Sequence, residues 1–355
     1  MPQSRRAHRR LLQPAVHIGD LSPVASGIVI IAAMLILPFC MGPYLLSAVR
    51  DALVLGLLGL SYDVLWGRAG VLTLGHTTFF GLGAYGFAVA TVQFGHSPAI
   101  GLICGLVVAM AVAATLGYFL LFAGVRLHFF AIVSMAVLII VQQLATSWQS
   151  VTGGDTGILG IPGLSFQFGP YTLDLGGPRG SWYAVAATLV VLLALSWFVC
   201  RSRYGKVLTA ISTNEWRASA CGYNTSGHLL FVFVASASLA AVAGVLMAAC
   251  SGVVAPDVFS PVLATEVILW VAVGGRGTLG GPVLAAITLT LLKQTVSSYS
   301  TDGWPLLLGT LFLGCVLFLP GGVRPGGLIA AVRGVRHSHF RHLFLRRAAR
   351  AEGGR

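Results

Sequence analysis

Among the ionisable side chains beside or within long apolar runs, His76 and Glu266 stand out. A group that can gain or lose a proton in such surroundings is rare and tends to be functional. An imidazole at the edge of a span can relay a proton, or it can cap a helix start or face the interface, which is the commoner role of a lone histidine there. Glu266 is the sharpest polar outlier: near the outer end of its run, it either faces a cavity or a partner, or reaches the headgroups. Asp63, between Tyr62 and Trp66 at the end of another run, reads as an interfacial anchor with no transport role. Inside the apolar runs there are no paired acids, metal-ligand spacings or nucleophile–base arrangements, which argues against an intramembrane enzyme. The six cysteines show no close pairing and read as small core residues.

The polar outliers fall in glycine-rich segments. The first runs from Gly67 through Leu74-Gly75-His76 into Thr77-Thr78-Phe79-Phe80-Gly81-Leu82-Gly83-Ala84-Tyr85. Gly81 and Gly83 remove side-chain bulk, so that another helix or a solute can approach the backbone; helix packing and pore lining both use this. The second, Thr152 to Gly163, has the glycines and proline of a turn-rich outer loop, either a face where a solute or binding protein arrives or only a connector. The third passes from Glu266 and Trp270 to Gly274-Gly275-Arg276-Gly277-Thr278-Leu279-Gly280-Gly281-Pro282, the pattern of a broken helix whose freed backbone groups must face protein or water. His76, Thr77, Thr78, Gly81, Gly83, Tyr85, Glu266 and Trp270 are the candidate translocation path.

The elements that must hold these residues are membrane spans. Of 355 residues, 56% are hydrophobic and 9% charged, with a mean hydropathy of +0.87; ordinary soluble domains carry about a quarter charged residues. Ten apolar segments approach the roughly 20 residues of a span. They lie near 25–46, 52–66, 77–93, 98–124, 129–148, 182–200, 229–251, 263–274, 279–296 and 304–320. The eighth is too short to cross comfortably, so eight to ten transmembrane helices are expected in an all-α polytopic bundle. With both termini in the cytoplasm, every Lys and Arg except Arg50, Arg179 and Lys293 falls in a tail or an inner loop. The net charge of +12 therefore points to anionic inner-leaflet lipid and not to nucleic acid. The expected organisation is a basic cytoplasmic segment over 1–24, a membrane domain over 25–322 and a basic cytoplasmic tail over 323–355.

The longest inner loop, 201–228, reads as a short amphipathic helix ended by Gly222, a natural docking knob. Its Tyr204-Gly205-Lys206, Asn214-Glu215 and Ala218-x-Ala220-x-Gly222 pattern resembles the coupling loop of permeases from the branched-chain amino acid and urea importer family. The Gly67–Tyr85 block, the Thr152-Gly153-Gly154 loop, Val273-Gly-Gly-Arg-Gly-Thr-Leu-x-Gly-Pro282 and Leu319-Pro320-Gly321-Gly322 are similar to the same family's signatures, in order along most of the chain from about Asp51 to Gly322. The resemblance implies a permease subunit of the bacterial inner membrane. It further implies two ATP-hydrolysing subunits, a second homologous permease subunit and a periplasmic solute-binding protein as partners. Glu215, Ala218, Ala220 and Gly222 would form the ATPase-coupling site, with Arg203, Tyr204 and Lys206 leading in. Ser219 departs from the acidic residue common there and removes one charge-assisted contact.

No Gly-x-x-x-x-Gly-Lys-[Ser/Thr] phosphate loop occurs, so ATP would be used by the partners, with no cofactor on this chain and no catalytic or metal-binding residues. The family's solutes are small and apolar or neutral; the Trp270–Leu279 and Cys221-Gly222-Tyr223 stretches look as close to the urea branch as to the amino acid branch. The alternative from another class is a secondary transporter driven by an ion gradient, with Glu266 and His76 in its relay.

Overall fold

The computed structural model describes residues 34, 36–123, 127–168, 171–299 and 303–318. The expected basic segment 1–24, part of the first expected span and the tail 323–355 lie outside them. The chain up to Gly42 and the chain from Pro43 form separate compact units, and all that follows concerns the second.

Its helices are α1 (Pro43–Tyr62), continued by a π-helical stretch Asp63–Ala69, α2 (Thr77–Ala88), extended by π-helical Val89–Gln93, α3 (Pro98–Phe122), α4 (Leu127–Ser147) and α5 (Pro178–Arg201). Then come α6 (Arg203–Thr213), α7 (Glu215–Ala220), α8 (Thr225–Ser251), α9 (Pro261–Gly274), α10 (Gly280–Tyr299) and α11 (Gly303–Phe318). Prolines at the starts of α3, α5 and α9 sit where no intrahelical N–H is needed. Asn224 and Ser260 cap α8 and α9 through side-chain oxygens that accept from Gly227 N at 3.0 Å and Leu263 N at 3.2 Å. Among the described residues, five helical stretches are long and apolar enough to cross a membrane: Pro43–Ala69, Pro98–Phe122, Phe129–Ser147, Pro178–Arg201 and Thr225–Ser251. The shorter α9 spans 14 residues, in keeping with its brief apolar run.

Sequence and structure differ at the start. Segments 25–46 and 52–66 are not divided by a loop at 47–51; the chain breaks at Met41-Gly42 and α1 starts at Pro43. Arg50 and Asp51 therefore lie inside a helix, paired at 2.9 Å, and Arg50 also donates to Ser181 Oγ on α5 at 3.2 Å. Pairing makes a charged couple tolerable in a span where an isolated ion is not.

The core is built from small residues. α2, α3 and α8 pack on one another, and α1 lies between α8 and α10. The buried face of α3 begins Gly101, Gly105, Ala109, Ala113, Gly117, a four-residue stripe, whereas Ile103, Val107 and Phe119 point outward. Lipid tails are as apolar as these side chains, so close backbone approach drives the association of such helices. A Cβ at Gly83 would run into the Ala241 backbone, and one at Gly244 into the carbonyl of Phe80.

One end of the bundle carries α6, α7, the π stretch after α1 and the α9–α10 turn, and it gathers Arg68, Arg201, Arg203, Lys206, Arg217 and Arg276. The other end departs from pure helix. β1 (Ile158–Leu159) pairs antiparallel with β4 (Val253–Val254), and β2 (Ser165–Phe168) forms a hairpin with β3 (Tyr171–Asp174). The glycine-rich loop Thr152 to Gly163 is thus tied to the end of α8, with Gly153, Gly154 and Gly157 at positive φ. Replacing Gly244 by Val should destabilise the α2–α8 contact by about 1–3 kcal/mol, the usual penalty for overpacking, measured as unfolding free energy in mild detergent.

Candidate functional site

The α6–α7 element is two helices, not the single amphipathic one expected. Asn214 breaks them with an extended backbone and caps α7 by accepting from Arg217 N at 3.0 Å. α6 buries Gly205, Leu208 and Ile211 and leaves Arg203 and Lys206 exposed. The half-buried Tyr204 donates its hydroxyl to the His228 carbonyl at 3.1 Å. Burial raises its pKa, which keeps it a donor. On α7 only Ala218 is buried; Glu215, Ala220 and Gly222 are exposed, and Gly222 at φ +88 ends the element in a conformation that strains any L side chain. Sequence reasoning passed over Trp216, whose side chain is 80% exposed on α7. Its signal was in plain view: an indole in an otherwise polar turn of an inner loop, the residue type most enriched at binding hot spots.

Beyond the π stretch the chain runs without helical structure, and residues 70–75 form a strap ahead of α2 that buries Val71, Thr73 and Gly75 and half-buries Gly70, Leu72 and Leu74. Backbone of this kind survives in hydrocarbon only where protein satisfies it. Tyr62 Oη donates to the Thr73 carbonyl at 2.9 Å, and Ser134 Oγ on α4 accepts from Leu74 N at 3.1 Å and Gly75 N at 3.3 Å. His76 follows, 2% exposed, with Nε2 at 2.9 Å from Ser61 Oγ. Its Nδ1 and the hydroxyls of Thr77 and Thr78 are buried without a hydrogen-bond partner. His76, Thr77 and Thr78 thus stand together at the start of α2. Gly81 faces the Phe259 ring and Gly83 the α8 backbone.

The expectation for Asp63 is overturned. It is fully buried, and its carboxylate accepts from the backbone N–H of Gly277 at 2.6 Å and of Leu279 at 2.9 Å, closing a clasp on the α9–α10 turn. Arg276 in that turn lies 4.3 Å over the Trp66 ring and donates to the Trp66 carbonyl at 3.2 Å. Gly67 allows the approach, since a Cβ there would strike both Asp63 and Gly277. Two peptide N–H groups freed by a broken helix compete for a carboxylate better than solvent at an interface does.

Glu266 does not reach for headgroups. At 2% exposure it accepts from Lys293 Nζ at 2.7 Å and Trp304 Nε1 at 2.9 Å, joining α9, α10 and α11. Trp270, one turn further along α9, is also buried. Toward the strand-bearing end, α2, α3 and α4 border an open pocket of about 610 Å³ lined by apolar groups including Leu82, Val89 and the exposed Val108, Leu144 and Trp148. Tyr85 forms part of its wall, stacked on Phe259 with centroids 5.5 Å apart and its hydroxyl unpartnered. The structure therefore separates the expected path residues: His76, Thr77 and Thr78 at the start of α2, Tyr85 at this pocket, Gly81 and Gly83 in packing contacts, and Glu266 in the ion pair between α9 and α10, with Trp270 buried one turn along.

Apolar spans, interrupted helices and internally paired charges define a polytopic α-helical membrane protein. The chain belongs to the family described as branched-chain amino acid transport system / permease component, whose model matches residues 44–319, and it resides in the inner membrane. It is 30% identical over 293 residues to the high-affinity branched-chain amino acid transport system permease protein LivM of Escherichia coli (strain K12), covering 76% of this chain and 67% of that protein. It is 29% identical over 137 residues to LivH of the same organism, covering 38% and 44%. The autoinducer 2 import system permease protein LsrC of Yersinia pseudotuberculosis (strain YPIII) is 22% identical over 240 residues, covering 66% of each. No solved structure matches the chain.

Replacing Glu266 by Leu should destabilise the bundle by about 1–3 kcal/mol, because the Trp304 N–H loses its acceptor while the half-exposed Lys293 can turn outward. Glu266→Gln keeps an acceptor and should lose less. Unfolding in detergent compares the two.

Proposed function

We propose that this chain is a translocating permease subunit of an ATP-binding-cassette importer for branched-chain amino acids. A related small amide such as urea is the other solute class within the same reading. Its partners are two ATP-hydrolysing subunits, a second homologous permease subunit and a periplasmic solute-binding protein; ATP is hydrolysed on the partners. Both termini and α6–α7 face the cytoplasm, and the strand-bearing end faces the binding protein.

The observation that carries this reading is the exposed α6–α7 element, with Trp216, Glu215 and Gly222 outward, packed onto the π stretch after α1. An importer needs a rigid knob for its ATPase that is joined directly to the membrane helices. In that geometry the exposed Glu215, Ala220 and Gly222 meet the ATPase over the buried Ala218, while the exposed Arg203 and Lys206 lead in and Tyr204 ties the element to the His228 carbonyl. The pocket by Tyr85 favours the amino acid solutes: its volume lies within the usual range of small-molecule sites, and its lining suits an aliphatic side chain better than urea. His76, Thr77 and Thr78, deeper in, offer unpartnered polar atoms to a solute's polar end once the helices part.

The test is uptake of labelled leucine and urea by vesicles containing the chain with its ATPases, second permease and binding protein. Uptake that requires the ATPases and is abolished by Glu215→Lys with Gly222→Pro, in a protein that still folds, is the expected result. Uptake that proceeds without ATPases would put an ion-gradient transporter in its place. Trp216→Ala should weaken ATPase binding about 30-fold, the equivalent of a ~2 kcal/mol hot spot, read by titrating ATPase against permease in nanodiscs.

A further inference from the structure

Three interruptions of regular helix meet at the α6–α7 end of the bundle. The π stretch Asp63–Ala69 closes α1, the strap 70–75 follows it, and the turn 275–279 separates α9 from α10. The coupling element touches the first two directly: α6 packs on the π stretch, and Ser212 lies against Gly70, where a Cβ would come within 3.2 Å. The turn 275–279 is tied to the same stretch by side chains. Both oxygens of the Asp63 carboxylate hold its peptide N–H groups, and Arg276 clamps Trp66 by ring and carbonyl.

The turn itself is strained. Gly275 and Gly277 have positive φ, and so does Leu279 at φ +60, the one non-glycine residue in that region among the described residues. A leucine stays in a left-handed conformation only where its surroundings over-determine it. Here the Leu279 N–H is held by Asp63, and its side chain is 3% exposed. A strained turn held by one carboxylate between two helices has the makings of a two-state element.

We propose that Asp63 is the positioning residue through which movement of the α6–α7 coupling element reaches α9 and α10. This rests on the importer reading above and assigns a transmission route within it. Displacement of α6 shifts the π stretch, the Asp63 clasp carries the shift to Gly277 and Leu279, and the strained turn converts it into a change between α9 and α10. The Glu266–Lys293 pair and Trp304 then extend the shift to α11 at the far side of the same helices.

The experiment compares wild type, Asp63→Asn, Asp63→Glu and Arg276→Gln in the full reconstituted importer. Complex recovery, ATP hydrolysis and solute uptake are measured on the same vesicles. An asparagine keeps one acceptor but turns an N–H₂ toward a peptide N–H, so it opens half the clasp. Asp63→Asn is expected to assemble normally and hydrolyse ATP within about twofold of wild type, while uptake per ATP falls at least about tenfold, inside the range of measured coupling factors. Arg276→Gln, which keeps the clasp and loses the clamp, falls less. Wild-type uptake per ATP in Asp63→Asn, or an equal fall in uptake and hydrolysis, overturns the proposal. If Asp63→Asn fails to assemble, Asp63→Glu and Arg276→Gln decide: unchanged uptake per ATP in both overturns it, and a lowered ratio in either supports it. Failure of the importer reading is seen separately, as wild-type uptake that needs no ATPase.

Discussion

Hydrocarbon offers no hydrogen bonds, so every peptide group of this bundle that leaves a helix must find its partner in the protein. Two breaks occur at the same end of the molecule, at 70–75 and at 275–279, and each is stabilised by side chains supplied from elsewhere in the chain. Tyr62 and Ser134 hold the first; Asp63 holds the second. Because Tyr62 and Asp63 are neighbours, the single turn where α1 passes into its π-helical stretch supports both breaks. The remaining architecture depends on that turn: it sets where α2 begins, how α9 meets α10, and what α6 rests on.

Around it, the bundle divides by the size of its side chains. α2, α3 and α8 approach through glycine and alanine, with backbone atoms of one helix in the space a Cβ would need on the next. Such contacts resist sliding. α10 meets that group mainly through α1, and α9 meets it through α1 and α10. The polar ties of α9, α10 and α11 are few and specific: Asp63 at one end, Glu266 with Lys293 and Trp304 toward the other. A close-packed block beside a group of helices joined by discrete polar links is a fitting base for alternating access, since packed interfaces switch between arrangements more readily than they deform.

The same division explains why charge is so sparse yet never idle. Among the described residues, each acid within the membrane helices has a counterpart: Asp51 with Arg50, Glu266 with Lys293, Asp63 with two peptide N–H groups. A carboxylate in a span is retained when it holds structure together or meets a solute, because removing it from water without such a partner is costly. The unpartnered polar atoms are concentrated instead at His76, Thr77, Thr78 and Tyr85, on the one helix that runs from the strap to the apolar pocket.

The helical membrane class, the positions of nine apolar segments and the polar loop 201–228 were legible in the residue order alone. Hydropathy and the Gly and Pro punctuation act over short stretches of chain, and the solvent they select is the same whatever the neighbours. The broken helix at 274–282 was legible for the same reason: clustered glycine interrupts a span locally. What Asp63 does was not legible, because its partners lie more than two hundred residues away and are backbone atoms, which leave no trace in side-chain identity. Glu266 stood open between headgroup and partner until α10 and α11 supplied Lys293 and Trp304. The short ladder joining Ile158 to Val254 was equally hidden, since two-residue strands carry no period to read. Local chemistry determined which segments cross the membrane and where they fail; only the tertiary structure decided which distant groups meet at the failures, because a hydrogen bond across a bundle is fixed by geometry that no single segment contains.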